Sequence, residues 1–453
     1  MLIKRNGTEG ITIPNTLKEV PTMGFIAGVD AGSTQTRVAL ASKQDFNDFS
    51  SEQVSDDPKG LMSRLCMTYV IPSTYASVSD EREIAPRSNY LHANLDSRLM
   101  RVKTAAEQPM FNSLRVIRGD KLRDVSGVVP RYLDSATQKV DNVIFYVNII
   151  DALGYAILQR AAVDGVIPQT AHVAMVVSVR PKEMNSISVK KLESNLVGTF
   201  LFLWGNRRIE IVIDNLDLTT EPEAQIQGTE AVAGLSGTAE DTALADRLYS
   251  ASCYMHIEGG GSSIGVEVVR DGGIVEQCSS TFPLGGNYLV RQVIDRVREA
   301  TGRTPSEASV QEAVKTCLLR NGNNQEDISS IVAAAKDQVA MDIVERVRHQ
   351  VIDVMTDLTM NDMEFISVCG RLFNEDGAGN CIAEYMKSYI TQLSPHTELV
   401  HLKDNRIPQG NLLIGVSNEV ERMAAGDSVF GPQSYATSYN EGVENSEATS
   451  EEE

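Results

Sequence analysis

The sequence lacks the features that several large classes of protein require. Its six cysteines form no C-x-x-C pair, so neither a zinc site nor a disulfide framework is expected. Its longest apolar runs, such as "TFLFLW" and "VAMVV", fall far short of the roughly 20 residues that span a bilayer. The opening "MLIKRNGTEGITIPN" has no apolar core of the kind found in signal peptides. We therefore expect a cytoplasmic protein that makes no membrane contact.

Positive charge is scarce as well. The chain has 41 Lys and Arg against 61 Asp and Glu, which gives a net charge of −20. Such a chain repels a phosphate backbone, so direct binding to nucleic acid is not expected. Part of the excess lies in the last residues, "SYNEGVENSEATSEEE". We predict that residues 426–453 form an acidic disordered tail, which either keeps the protein soluble or docks on a basic partner.

The length and the apolar content of the chain are sufficient for a large folded core. The 453 residues are 42% hydrophobic and 23% charged, which is ordinary for a globular protein of two or more domains. The apolar spacing in "VDNVIFYVNIIDALGYAILQRAAVDG" predicts a long buried helix that ends at its glycine. "AHVAMVVSVRP" predicts a core strand, and "VGTFLFLWGNRRIEIVIDNLDL" predicts a hairpin with its turn at "GNRR". Helices are predicted after "TTEPEAQ" and after the double glycine of "PLGGNYLVRQVIDRVREATG".

Two stretches of the chain share one pattern: an apolar strand, a tip made of an acid, glycine and hydroxyl residues, and a second apolar strand. The first stretch is "GFIAGVDAGSTQTRVALA", with tip 1 at residues 30–34, and the second is "HIEGGGSSIGVEVV", with tip 2 at residues 258–263. Neither is a Walker P-loop, because no G-K-[ST] follows. The repeat, half a chain apart, predicts an internal duplication of α/β type.

The chemistry of the tips predicts two phosphate cradles. Glycine lets backbone N–H groups approach an anion closely, and the hydroxyls add further donors. The cradle residues are Gly32, Ser33 and Thr34 in tip 1 and Gly260, Gly261, Ser262 and Ser263 in tip 2. Arg37 supplies a cation, whereas Asp30 and Glu258 would repel phosphate unless a divalent metal such as Mg²⁺ lay between. The alternative is that each tip is only a polar turn, since glycine and serine are common in turns.

These residues resemble the motifs of the actin, heat-shock chaperone and sugar kinase ATPase superfamily. "GVDAGSTQTRVAL" looks like its phosphate-1 motif, and "HIEGGGSSIGVEVV" resembles phosphate-2, Asp-x-Gly-Gly-Thr-Thr-x-Asp, with Gly265 where the last Asp would stand. Gly285 and Gly286 in "PLGGNYLVRQVI" are similar to the helix start that follows phosphate-2. "MEFISVCGRLF" sits where the adenosine motif is expected, with Gly370 kept and Arg371 in place of a second glycine.

The resemblance is greatest to bacterial actins of the plasmid-segregating ParM type. The closing "NRIPQGNLLIGVSNEV" and the early "VIPSTYA" are both similar to segments of those proteins. In the superfamily a Glu or Gln at a helix start orients the attacking water, and "TTEPEAQ" offers two candidates. Glu221 suits the Glu-Pro order of MreB-like and chaperone ATPases, while Glu223 suits the Pro-Glu order of ParM-like actins and is slightly favoured.

The resemblance implies a duplicated actin-like ATPase fold of the α/β class. It implies two lobes, each with a mixed five-stranded sheet flanked by helices, and a nucleotide in the cleft between them. The expected domains are an N-terminal extension (1–22), a first lobe (23–220) enlarged at about 45–140, a second lobe (221–425) and the tail (426–453). ATP or ADP and Mg²⁺ are the implied ligands, with Asp30 and Glu258 on the metal side.

Three functions follow from such a fold. A filament-forming prokaryotic actin would polymerise with ATP, hydrolyse it slowly and position DNA or another cargo. Its DNA contact would run through a small DNA-binding adaptor, which agrees with the acidic charge. A metabolite kinase would need a catalytic Asp after phosphate-1, for which the sequence offers no clear candidate. A chaperone or reactivase ATPase would need a further domain, for which the residues after "LLIGVSNEV" are too few and too polar.

Overall fold

The computed structural model describes residues 17–49, 58–78, 95–119, 122, 131, 133, 138–236, 238–322, 324–354, 358–374, 381–402 and 404–430. Residues 1–16 of the predicted extension and residues 431–453 of the predicted tail lie outside this set, as does part of the predicted enlargement at 45–140.

The described elements alternate along the chain. The strands are β1 (Lys18–Ala31), β2 (Gln35–Ser42), β3 (Thr68–Pro72), β4 (Tyr75–Val78), β5 (Leu95–Thr104), β6 (Ser113–Arg118), β7 (Val166–Val179), β8 (Gly198–Trp204), β9 (Arg207–Thr220), β10 (Cys253–Gly259), β11 (Ile264–Arg270), β12 (Gly273–Ile274), β13 (Ser280–Phe282), β14 (Leu318–Asn321), β15 (Asn324–Asp327), β16 (Phe365–Cys369) and β17 (Glu398–Leu402). The helices are α1 (Lys43–Phe49), α2 (Pro58–Leu65), α3 (Val143–Asp164), α4 (Ser186–Leu196), α5 (Glu221–Ser236), α6 (Ala239–Ser250), α7 (Gly286–Thr301), α8 (Glu307–Thr316), α9 (Ser329–Val354), α10 (Ile382–Leu393) and α11 (Ile407–Ala425). Short 3₁₀ turns at Lys139–Asp141 and Pro181–Glu183 precede α3 and α4.

Most of the strands form two mixed sheets. The first has nine strands in the order β3-β2-β1-β7-β9-β8-β5-β6-β4, and the second has six, ordered β12-β11-β10-β16-β17 with β13 against β11. In the first sheet, β1 pairs antiparallel with β2 and parallel with β7. In the second sheet, β10 pairs antiparallel with β11 and parallel with β16. The expected five strands per sheet are therefore wrong. The first sheet is larger because β8 and three strands from residues 75–118 extend its edge.

The predicted helix and strand types are confirmed. α3 ends at Gly165, whose φ of 72° places it in the left-handed region that glycine adopts without strain. β8 and β9 form the predicted hairpin, and α5 and α7 begin where "TTEPEAQ" and the double glycine placed them. The adenosine segment forms strand β16, and α11 covers the closing motif.

The first sheet curls around α3. Its two end strands, β3 and β4, are separated by only two residues in the chain, so the edges of the sheet are brought close together. Side chains of α3 share one core with side chains from β1 to β9. Every residue of the helix from 144 to 158 is buried. By length and composition α3 is the one helix of the described residues that matches a membrane span, but 89% of that window is inside the protein.

One buried ion pair joins α3 to the sheet edge. Arg118 at the end of β6 donates to Asp151 of α3 at 2.5 Å, and both side chains are fully buried. The same guanidinium donates to Asn148 and to the carbonyls of Pro72 and Ser73, between β3 and β4. Asp151 also accepts from Ser97 of β5. The network therefore holds both edges of the curled sheet to the central helix.

The second sheet has different partners on its two faces. One face packs on α7, α9 and α10 and forms the second core. The other face carries Tyr254, Val269 and Phe365, which pack on Ile226 of α5. α5 also contacts the start of α11, where the Gln225 side chain accepts from Arg406 N at 2.7 Å and donates to the carbonyl of Asp404 at 2.9 Å. α5 thus lies between the second sheet and α11, which itself packs on the first sheet.

The buried network gives a stability prediction. Asp151→Asn leaves the Arg118 charge buried without a counter-charge, so we expect a loss of about 3–5 kcal/mol in unfolding free energy. The matched control is Glu326→Gln, because Glu326 pairs with Arg303 at the surface. That change should cost about 0–1 kcal/mol. Denaturant titration of both variants checks the difference, and equal losses would contradict the role given to the network.

Candidate functional site

The two tips lie against each other. Each closes a hairpin with a short turn, in which Gly32 N donates to Gln35 O at 3.1 Å and Gly260 N donates to Ser263 O at 2.9 Å. A Cβ placed on Gly261 would stand 2.5 Å from the Ser33 hydroxyl. The hydroxyl and glycine residues predicted to cradle phosphate from two distant parts of the chain are therefore in contact.

Three further glycines allow neighbouring segments to pack closely against tip 2. Gly286 N donates to the Gly260 carbonyl at 3.0 Å at the start of α7. A Cβ on Gly285 would lie 2.6 Å from the backbone carbon of Ser262, so only glycine allows this approach. Gly370, after β16, has a φ of 95° and sits against the Gly259 carbonyl. The α7 start and Gly370, in the segment after β16, thus border tip 2. Arg371, the next residue, is exposed.

Tip 1 is fixed by α11. The Asn411 side chain donates to the Val29 carbonyl at 2.8 Å and to the Ser178 hydroxyl at 3.2 Å. It therefore ties the closing motif to the ends of β1 and β7, directly before tip 1. The Ser73 hydroxyl donates to the Gly32 carbonyl at 2.6 Å, which anchors the tip to the segment after β3.

Three buried carboxylates at the tips influence one another, and we call this cluster the acidic gap: Asp30, Glu221 and Glu258. All three are at most 7% exposed. Burial raises the pKa of Glu258 well above its usual range, and the carboxylates of Glu221 and Asp30 raise it further. The cations of Lys139 and Arg37 oppose this shift. The acidic gap therefore concentrates like charges that need positive partners.

Part of that positive charge comes from Arg37. Its guanidinium donates to Asp30 at 2.9 Å and to Gln35 at 3.0 Å. In this structure Arg37 therefore pairs with the acid of tip 1. Asn405 lies 3.4 Å from the same carboxylate oxygen of Asp30.

Two buried cations in the site were not predicted from the sequence. The Lys139 ammonium group donates to the Glu221 carboxylate. The backbone N–H of Lys139 donates to the Glu183 carboxylate at 2.5 Å. Burial alone would lower the pKa of Lys139, but the Glu221 carboxylate raises it above its usual value. Arg180, at the end of β7, donates to the Ser262 hydroxyl of tip 2 at 3.1 Å. No local pattern marks either residue. The stretch "AHVAMVVSVRP" predicted only a strand that stops before its proline.

The two candidate glutamates of α5 point to different surroundings. Glu221 reaches into the acidic gap and bonds to Lys139. Glu223 accepts from the Thr219 hydroxyl at 2.6 Å, and its N–H donates to Thr220 at 3.3 Å. The Thr220 hydroxyl therefore caps the first turn of α5, the Glu223 carboxylate is held by Thr219, and the Glu221 carboxylate is held by Lys139.

The metal-side residues fit a cation that also binds phosphate. Within the described residues no group of three His, Cys, Asp or Glu side chains forms a protein-only metal site. Asp30 and Glu258 instead supply two hard oxygen donors, one in each of the two contacting tips. Mg²⁺ usually takes one or two carboxylates, with waters and phosphates completing its shell, which agrees with this donor set.

The glycine at the start of α7 gives a second prediction. Gly285→Ala forces tip 2 and α7 apart, so we expect a loss of about 1–3 kcal/mol in unfolding free energy. Gly234→Ala in α5 is the matched control, because nothing lies within 4 Å of its added Cβ. That change should stabilise the protein by about 0.5–1 kcal/mol. Denaturant unfolding measures both, and a neutral Gly285→Ala would contradict the close packing behind tip 2.

Comparison with known proteins identifies the fold. No protein-family description and no curated protein sequence matches the chain. Among solved structures, the archaeal actin homolog Ta0583 is similar with a TM-score of 0.55 and 14% identity, over 88% of this chain and 99% of that one. The apo pSK41 ParM protein is similar with a TM-score of 0.53 and 11% identity, over 89% and 100%.

A third similar structure is Bacillus thuringiensis ParM with ATP. It has a TM-score of 0.53 and 12% identity, over 88% of this chain and 99% of that one. At such identities the comparison establishes architecture, and each similarity extends over nearly the whole of the compared protein. The chain therefore has an actin-like fold, similar to that of the ParM proteins.

Proposed function

We propose that this protein binds ATP between its two tips, hydrolyses it, and assembles with copies of itself into filaments. The observation that carries the proposal is the contact of tip 1 with tip 2 around a buried acidic gap that holds Lys139 and borders Arg180. The likeness to Bacillus thuringiensis ParM with ATP and to the archaeal actin homolog in complex with ADP supports the choice of nucleotide.

The phosphates of ATP would lie between the tips, in a cleft between two lobes built on the two sheets. Backbone N–H groups of both glycine-rich turns, together with the Ser33, Thr34 and Ser263 hydroxyls, supply the donors. Arg180 is placed to release Ser262 and bind phosphate, because its guanidinium already reaches that hydroxyl. Gly370 and Arg371 border tip 2 and mark the adenosine side of the site.

The carboxylates have separate roles in this proposal. Asp30 and Glu258 would hold Mg²⁺, which neutralises phosphate charge when it is bound with ATP. Glu221 would orient the attacking water, since it faces the acidic gap and Lys139 holds its position. Glu223, although slightly favoured from the sequence, bonds to Thr219 and serves the first turn of α5. The assignment to Glu221 therefore rests on where the two carboxylates lie.

We base filament formation on the likeness to ParM proteins. We place the protein in the cytoplasm, moving or positioning a cargo. With a net charge of −20, contact with DNA would run through a separate basic adaptor. The acidic tail is one surface for such a basic partner.

The water-orienting role gives a third prediction. Glu221→Gln should lower the rate of ATP hydrolysis by about 10²-fold, because the amide loses the charge through which Lys139 holds the side chain in position and accepts a proton less readily than the carboxylate. Glu223→Gln should lower the rate much less, and both variants should keep nucleotide affinity within a few-fold. Phosphate release under saturating ATP and Mg²⁺ measures the rates. A larger loss in Glu223→Gln would transfer the role to that residue.

The metal-side role and assembly give a fourth prediction. Asp30→Ala should abolish hydrolysis while the protein stays folded by circular dichroism, because one carboxylate facing Mg²⁺ is lost. Wild-type protein with ATP and Mg²⁺ should scatter light and form filaments in negative-stain micrographs. Normal turnover in Asp30→Ala would contradict the clamp, and no filaments across a range of salt and protein concentration would contradict assembly.

A further inference from the structure

A buried carboxyl outside the acidic gap lies next to the first turn of α5. Glu267 lies in β11 and is 0% exposed. Its neighbours Val266 and Val268 enter the second core, so Glu267 points to the opposite face, toward α5. Two residues earlier on that face is Gly265, where an added Cβ would touch Pro222 of α5 at 3.4 Å. The side chain of Glu267 is therefore directed at the turn that carries Glu221 and Glu223.

Among the described residues, no cation is one of the groups that most affect the pKa of Glu267. From α5 it faces the carboxylates of Glu221 and Glu223, and from the end of β9 the uncharged Thr220. Opposite it on β10 is His256. Burial lowers the pKa of that imidazole to about 3, and its ring nitrogens face Ser367 and Cys369. His256 is therefore neutral and does not pair with Glu267.

The hydrogen bonding of Glu267 is incomplete. The Thr220 hydroxyl and the Glu223 N–H approach the carboxyl and hold its pKa down. Neither completes a hydrogen bond of ordinary geometry within the described residues. Burial of a carboxyl whose hydrogen bonds are incomplete costs stability.

We propose that Glu267 is a positioning residue for hydrolysis, whose ionised form holds the first turn of α5 so that Glu221 faces the acidic gap. This inference rests on the proposed ATPase function. The Thr220 hydroxyl and the Glu223 N–H approach the carboxyl at the positive end of the helix without completing hydrogen bonds to it here. In this proposal the ionised carboxylate would accept hydrogen bonds from both groups. The protonated form is a weaker acceptor and releases the turn. The charge on Glu267 thus controls the position of the water-orienting group without touching ATP.

The pH range over which Glu267 ionises is set by the burial of its carboxyl. Desolvation raises the pKa of Glu267 to about 7, with the carboxylates of Glu223 and Glu221 adding to the rise. Hydrolysis should therefore increase with pH through neutrality. Stability should change in the opposite direction. A carboxyl with a raised pKa in the folded state binds its proton more tightly there than in the unfolded chain, so folding loses stability as pH rises toward 7.

The test compares wild type, Glu267→Gln and Glu267→Asp between pH 5.5 and 8.5 at saturating ATP and Mg²⁺. The wild-type turnover number should rise about fivefold through pH 7. Glu267→Gln imitates the protonated form and should stay flat at the low-pH rate, with KM for ATP within a factor of about two. Glu267→Asp keeps an ionisable group and should restore part of the rise.

The control is Glu419→Gln. Glu419 is also 0% exposed, but it lies on α11 and accepts from Ser428 and from the Val429 N–H, far from the tips in the fold. This variant should lose stability and keep the wild-type pH profile of hydrolysis. Flattening of the profile in Glu419→Gln as well would show a general effect of removing a buried acid and overturn the inference.

A second readout separates this inference from the proposed function. In thermal unfolding, the melting temperature of Glu267→Gln minus that of wild type should increase from pH 5 to pH 8. A constant difference would overturn the buried ionisation. A wild-type pH profile in Glu267→Gln would overturn the positioning role while leaving the ATPase proposal intact. Absence of hydrolysis by wild type would overturn the proposed function itself, whatever the melting data show.

Discussion

The structure depends on the packing of three carboxylates, Asp30, Glu221 and Glu258, into one buried gap. Like charges at such depth destabilise a fold unless positive groups or protons compensate them. Lys139 and Arg37 compensate part of the charge, while burial and the neighbouring carboxylates still raise the pKa of Glu258. In the function proposed above, a divalent cation bound with a polyphosphate would add positive charge at this place.

The surrounding fold holds that gap in place. Asn411 ties α11 to the strands before tip 1, while Gly285 and Gly370 let α7 and the segment after β16 press on tip 2. α5 carries Glu221 and packs on both α11 and the second sheet. Glu221 therefore lies on a helix that contacts the second sheet directly and the first sheet through α11.

The tips, the long helix α3 and the two candidate glutamates were predictable because each depends on residues close together in the sequence. The extended first sheet was not, since joining β8 to β5 depends on pairing between segments that are about a hundred residues apart. Lys139 and Arg180 carry no local pattern, and only the tertiary structure brings them to the tips. Glu267 is a single charged residue between the valines of β11, and the sequence alone does not show that its side chain is buried. The choice between Glu221 and Glu223 required coordinates, because neighbouring residues at a helix start point in different directions.

The most direct measurement is a structure of the protein with Mg²⁺ and a non-hydrolysable ATP analogue. The account predicts phosphates held between residues 32–34 and 260–263, a cation between Asp30 and Glu258, and adenosine beside Gly370. It also predicts that Arg180 turns from Ser262 to phosphate. A nucleotide bound elsewhere, or phosphates between the tips with no cation near either carboxylate, would contradict the two-sided clamp.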